Sequence, residues 1–134
     1  LRIVVSSIQV LADGHGWERW GNLPLERQRL YSLIGRTGAR GVLLLSGDRH
    51  IGGIYREATG TPYPLVECTS SGITHVAAQN REAGPNRLGA PVTELHVGQL
   101  DIDWAQQRLR LSLRGQAGQL LREHTVALAD LAPR

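Results

Sequence analysis

The sequence predicts an α/β fold in which one βαβ unit is followed by an antiparallel β meander. Two observations indicate this. The first 46 residues run from a β-branched segment through a loop and a helical segment into a second apolar segment. The later part carries short strand-like segments, of which the last three are separated by short turns. No repeat or composition shift divides the chain, so we expect residues 1–134 to form a single domain.

The first predicted strand is Arg2–Val10, with the sequence RIVVSSIQV. It shows little polar alternation, so we expect it to be buried on both faces, as strands of parallel sheets are. The loop Leu11–Leu23 follows and contains three glycines, Trp17 and Trp20. It carries more chemically reactive side chains than any other predicted loop.

A helix is predicted over Leu25–Arg36, because Pro24 suits a first helical turn and Gly38 is placed to end it. The apolar residues of this segment approximate one stripe. The next strand, Val42–Ser46, is short and apolar, and Gly47 breaks it. A strand, a helix and a strand in this order predict two parallel strands with the helix over one face.

Five further segments have the composition of strands: Ile51–Glu57, Tyr63–Thr69, Glu94–Trp104, Arg108–Arg114 and Gln119–Val126. The last three are joined by Ala105–Gln107 and Gly115–Gly118, which are short enough for hairpin turns. They therefore predict the antiparallel meander. The polar segment Gly72–Pro91 is predicted to be a long surface loop that is functional or mobile.

The composition favours some partners and excludes others. All 15 basic residues are arginine, and the formal net charge is +3. Arginine suits an anionic substrate, although a coding bias explains the same composition. No charge run predicts a nucleic-acid arm, and no apolar segment approaches the roughly 20 residues that cross a membrane. Cys68 is the single cysteine, so no internal disulfide forms.

The end of the second predicted strand carries the first candidate site, in the sequence Ser-Gly-Asp-Arg-His. Ligands gather at the carboxyl ends of parallel strands, and Asp48 and His50 follow Val42–Ser46 directly. In an extended chain the two side chains point to the same side. A carboxylate with an imidazole suits zinc, manganese or iron. The alternative is a turn in which Asp48 caps backbone amides and His50 has no role.

The loop after the first strand is expected at the same edge of the sheet. His15 and Glu18 in this loop could both reach a metal there. The alternative is that Trp17 packs at the helix entry and Glu18 forms an ion pair with an arginine such as Arg49. If Arg49 is not paired in this way, it could contact a phosphoryl group.

Four segments carry a family resemblance: SSIQVL, HGWERWGNLPLERQRL, TGARGVLLLSGDRH and YPLVECTSSGITH. They are similar, in order, to the carboxyl-terminal half of PhoD-like alkaline phosphatases, in the calcineurin-like metallophosphoesterase superfamily. The likeness runs from about Arg2 to His75 and continues weakly through LDIDW. It implies half of an αββα sandwich and one or two divalent ions of zinc, manganese, iron or calcium. It also implies that Asp48 and His50 are metal ligands, and more weakly Glu18.

The resemblance predicts hydrolysis of a phosphate monoester or diester by metal-activated water. Arg49 is then expected to stabilise developing charge, and His15 or His75 to protonate the leaving group. A loop histidine without catalytic role is the alternative for His75. The alternative for the whole chain is an inactive truncated phosphatase fragment that serves as an assembly or interaction module.

The family carries most of its ligands in the half that precedes the matched segments. A half sandwich would expose the inner face of its sheet, which monomers rarely tolerate. We therefore expect one of three outcomes: a piece of a longer protein, a partner that supplies the other half, or a homodimer. The homodimer is favoured over a monomer, since two copies of Asp48 and His50 could meet near its axis.

Overall fold

The computed structural model of the chain describes residues 1–133; Arg134, included in the predicted domain, lies outside them. One α-helix, α1, spans Pro24–Arg36. The strands are β1 Arg2–Val5, β2 Val42–Ser46, β3 Gly52–Glu57, β4 Leu65–Ser70, β5 His96–Asp103, β6 Arg108–Gly115 and β7 Leu120–Ala127. Short 3-10 turns lie at Trp20–Asn22 and Leu128–Asp130. The α/β class is confirmed.

The strands form two sheets. The first has the order β1-β2-β4-β3, in which β1, β2 and β4 are parallel and β3 is antiparallel to β4. Because β1, α1 and β2 follow one another and the two strands are parallel, the predicted βαβ unit is confirmed. The second sheet has the order β5-β6-β7 with both pairs antiparallel, which confirms the meander.

The two sheets pack against each other. β4 contacts β5, and β3 contacts both β6 and β7. The register places Leu43 beside Val66 on one face of the first sheet, and both belong to the same buried cluster as Leu109 and Leu111 of β6. The meander therefore covers the β3 and β4 part of a face that a half sandwich would leave open.

The prediction that the first strand is buried on both faces is wrong. β1 ends at Val5, and all four of its residues are exposed, with Val5 74% exposed. β1 lies at the edge of its sheet and pairs, within residues 1–133, with β2 alone. The sequence RIVV has the composition of a central strand but occupies an edge, where one row of backbone groups has no strand beside it.

Helix α1 begins at Pro24 and is ended by a glycine, as predicted. Gly38 has φ +61° and donates its N–H to Gly35, while Ala39 donates to Ile34 at 3.1 Å, which is the pattern of a Schellman cap. Tyr31 and Ile34 are its buried residues. Within the described part of the chain, no helix has the length and hydrophobicity to cross a membrane.

Candidate active site at the carboxyl end of β2

The turn after β2 has an unusual backbone at both predicted metal ligands. Asp48 has φ 69° and His50 has φ 53°, so both adopt the left-handed conformation, which is uncommon for residues other than glycine although aspartate and histidine adopt it more often than most. The predicted extended geometry of this pair is therefore wrong. Such a conformation costs about 1–3 kcal/mol per residue and persists where the surrounding structure imposes it, often at functional sites.

Neighbouring segments hold this turn in place. The backbone N–H of His50 donates to Ser71 Oγ at 3.0 Å, and Ala77 donates its N–H to the carbonyl of His50 at 2.8 Å. Both partners lie after β4, which is the next parallel strand in the sheet. The ring of His75 meets the ring of His50 edge to face, with 4.9 Å between the centroids. The segment after β4 therefore fixes His50 and adds a second imidazole beside it.

A surface cavity of about 380 Å³ joins the two loops that the sequence places at this edge of the sheet. Four of the six predicted site residues line it. Its lining residues are Trp17, Glu18, Asp48, Arg49, His50, Ala77 and Asn80. His75 contacts this group through His50. The structure thus brings together residues from the β1–α1 loop and from the β2–β3 turn, as parallel strands predict.

Arg49 forms its ion pair with Glu82 instead of Glu18. The Arg49 side chain is 8% exposed and the Glu82 side chain 11%, so the pair is largely shielded from water. Asn80 Nδ2 donates to the same carboxylate at 2.9 Å. The Arg49 guanidinium also lies 5.4 Å from the centre of the Trp17 ring. Arg49 lines the cavity, but Glu82 neutralises its charge, so its contact with an oxyanion stays a prediction.

His15 is buried, and burial favours the neutral form of its ring. Its Nδ1 accepts the N–H of Trp17 at 3.2 Å, while Nε2 has no hydrogen-bond partner within residues 1–133. Burial lowers the pKa of His15, and the positive charge of Arg49 lowers this pKa further. Because Nδ1 accepts the hydrogen bond from Trp17, the neutral ring carries its proton on Nε2, and the role of His15 as a proton donor stays a prediction.

We expect His15 to make stability depend on pH. Because its pKa is lowered, the unfolded chain binds the proton more readily than the folded chain. The contribution of neutral His15 is complete above the ordinary value of 6.5 and is lost as the pH falls below it. Urea unfolding between pH 5 and 7.5 should show a shallower loss of stability in His15→Asn than in the parent chain. Equal pH dependence in both would contradict this.

Glu67 is the important residue that the sequence reasoning missed. It lies on β4, is fully buried, and accepts the N–H groups of Val10 at 2.9 Å and Leu11 at 2.6 Å. Burial raises the pKa of its carboxyl, while hydrogen bonds from Ser46 and the loop amides act in the opposite direction. Glu67 thereby fastens the start of the loop that carries His15. A lone glutamate inside LVECTS was the available signal.

The predicted metal ligands do not form a complete metal site within the described chain. Over residues 1–133, no group of three or more histidine, cysteine, aspartate or glutamate side chains is arranged to hold an ion. Asp48, His50 and Glu18 share a cavity, and their role as ligands stays a prediction. The donor types, a carboxylate and imidazoles beside an anchored arginine, fit a divalent ion with an anionic substrate.

Comparison with protein-family models, with curated proteins and with solved structures found no match for this chain. The fold and the cavity are those of an α/β protein with a site after a parallel strand that His50 and Arg49 line. The likeness to the PhoD-like family stays a prediction.

Proposed function

We propose that the chain is a metal-dependent phosphoester hydrolase that acts on monoesters or diesters. The observation that carries this proposal is the left-handed backbone at both Asp48 and His50. Two strained non-glycine residues at the carboxyl end of a parallel strand, beside a cavity, are the kind of feature that function maintains.

In this proposal Asp48 and His50 hold the ion, with Glu18 across the cavity as a third donor. A bound zinc, manganese, iron or calcium ion would lower the pKa of a water molecule and polarise the phosphoryl group. Arg49, anchored by Glu82, would bind a phosphoryl oxygen. His15 or His75 would be the proton donor to the leaving group.

The test is the substitution of each predicted ligand by an uncharged amide side chain. Asp48→Asn and His50→Gln are expected to lose bound metal, measured by elemental analysis of protein purified without chelator. Hydrolysis of p-nitrophenyl phosphate and bis-p-nitrophenyl phosphate with added zinc or manganese should fall at least about 100-fold. His124→Gln, on β7, is the control and should keep both. Retained metal and activity in both site variants would refute the proposal.

A second chain is proposed to complete the site, and the favoured partner is another copy of this chain. β1 runs parallel to β2, so the carboxyl ends of the two strands lie side by side. An element that docks beside β1 therefore approaches Asp48, which follows β2. The exposed Ile3 and Val5 offer it an apolar surface. Either this homodimer or a partner with the missing half would add donors to the incomplete ligand set.

We expect light scattering with size-exclusion chromatography to give the mass of a dimer. The double variant Ile3→Lys/Val5→Lys should be a monomer, because two charges on β1 make its burial costly. Leu25→Lys/Leu33→Lys, on the exposed side of α1, is the matched control and should stay dimeric. A monomeric parent chain would contradict the homodimer.

An assembly module without catalysis is the second candidate. It is favoured by the exposed apolar edge at β1 and by the incomplete set of metal-binding side chains within residues 1–133. Elemental analysis separates the two functions. Protein without bound metal, which also fails to hydrolyse chromogenic phosphodiesters after zinc or manganese is added, would favour the module.

A further inference from the structure

Trp17 is an exposed aromatic ring on a fixed backbone. The side chain lines the cavity and is 60% exposed. Its backbone N–H donates to His15 Nδ1 at 3.2 Å, and its carbonyl accepts hydrogen bonds from Asn22 Nδ2 and Arg19 Nη1, each at 3.2 Å. The loop therefore holds Trp17 in place although most of its ring is open to water, where an apolar surface gains nothing.

A largely buried cation lies against this ring. The Arg49 guanidinium lies over the indole at 5.4 Å from its centre, and Glu82 anchors that guanidinium. A cation placed over a tryptophan ring is attracted to it, most strongly where water is excluded. An anchored positive charge and an open aromatic surface thus adjoin each other beside Asp48 and His50.

We infer that Trp17 is a stacking platform for a planar ring carried by the substrate, so that the site selects phosphoesters of aromatic or nucleoside alcohols. The inference depends on the proposed function only in assuming that the ligand carries a phosphoryl group. Both side chains line the same cavity, so a ligand with a phosphate beside Arg49 could place an attached ring against Trp17. A cavity of about 380 Å³ is within the size range of small-molecule sites.

The chain offers a matched comparison in Trp104. This residue is 59% exposed, nearly the same as Trp17, but it lies in the turn between β5 and β6. Trp17 is the tryptophan that carries a cation–π contact within residues 1–133. If loss of any exposed tryptophan weakens binding, substitution of Trp17 and of Trp104 should have the same effect. If Trp17 recognises the ring of a substrate, only substitution of Trp17 should weaken binding.

The experiment measures binding by calorimetry with three phosphomonoesters: AMP, phenyl phosphate and ribose 5-phosphate. The parent chain should bind the first two about ten-fold more tightly than ribose 5-phosphate, because stacking on one aromatic side chain is worth about that much. Trp17→Leu should remove the difference, Trp17→Phe should keep most of it, and Trp104→Leu should leave it unchanged. Equal binding of all three esters by the parent chain, or equal losses in both leucine variants, would overturn the inference.

Binding and turnover separate this inference from the proposed function. A preference for ring-bearing esters without hydrolysis would refute the hydrolase and uphold the platform. Hydrolysis with equal KM for AMP and ribose 5-phosphate would uphold the hydrolase and overturn the platform. Between the two ring-bearing esters, tighter binding of AMP would identify a nucleoside as the source of the ring, and tighter binding of phenyl phosphate would identify a simple aryl ester.

Discussion

Asp48→Gly and His50→Gly are expected to abolish hydrolysis and, at the same time, to make the protein more stable. Both residues have positive φ, a conformation in which glycine carries no steric cost. Each glycine variant should therefore gain about 1 kcal/mol in the free energy of unfolding of the metal-free protein. Activity should fall at least about 100-fold, since the carboxylate or imidazole is gone.

Gln107 provides the control for this pair. It is the third non-glycine residue with positive φ within residues 1–133, at 52°, and it lies in the turn before β6. Gln107→Gly should gain stability in the same way but keep full activity. Chemical unfolding with chelator present and assays with p-nitrophenyl esters measure the two effects. Glycine variants of Asp48 and His50 that lose stability would show that their side chains maintain the fold and would remove the main argument for a catalytic role.

Glu67→Ala is expected to cause the largest loss of stability of any single substitution discussed for this chain. The variant leaves the N–H groups of Val10 and Leu11 buried without an acceptor and opens a cavity beneath the β1–α1 loop. We expect a loss of about 4 kcal/mol in the free energy of unfolding, measured by urea denaturation. Most of a typical domain's stability would then be gone.

Two further variants test whether the effect comes from the hydrogen bonds of Glu67 and not merely from the loss of a carboxylate. Glu67→Gln keeps the shape and one acceptor, so it should lose clearly less stability than Glu67→Ala. Glu123→Ala, exposed on β7, should change stability by less than about 0.5 kcal/mol. A loss in Glu67→Ala as small as that in Glu123→Ala would mean that the loop does not depend on this carboxylate.

The order of the elements followed from local patterns. Apolar runs, the proline at the start of α1 and the glycine after its end depend on residues close together in the chain, and these predictions were confirmed. The same reasoning placed Asp48 and His50 at the end of a parallel strand, next to the β1–α1 loop. It failed for β1, because composition shows that a strand is apolar but not whether it lies at an edge.

The site itself depended on which distant segments lie side by side. Arg49 and its partner Glu82 are 33 residues apart, and Glu67 and Val10 are 57 apart. An arginine can pair with any of several carboxylates of similar sequence context, and the packing of the 72–91 segment selects Glu82 over Glu18. The contact between His50 and His75, and the position of Trp17 under Arg49, are selected in the same way.

In the turn Gly47-Asp48-Arg49-His50, the local sequence determines the position and the tertiary contacts determine the backbone conformation. Periodicity and residue type were sufficient to place this turn at the end of a buried strand, because burial and turn formation are local properties. They did not predict the left-handed backbone of Asp48 and His50, because this conformation is uncommon for residues other than glycine, although aspartate and histidine adopt it more often than most. Contacts with Ser71 and Ala77, made possible by the neighbouring parallel strand, stabilise a turn that the local sequence disfavours.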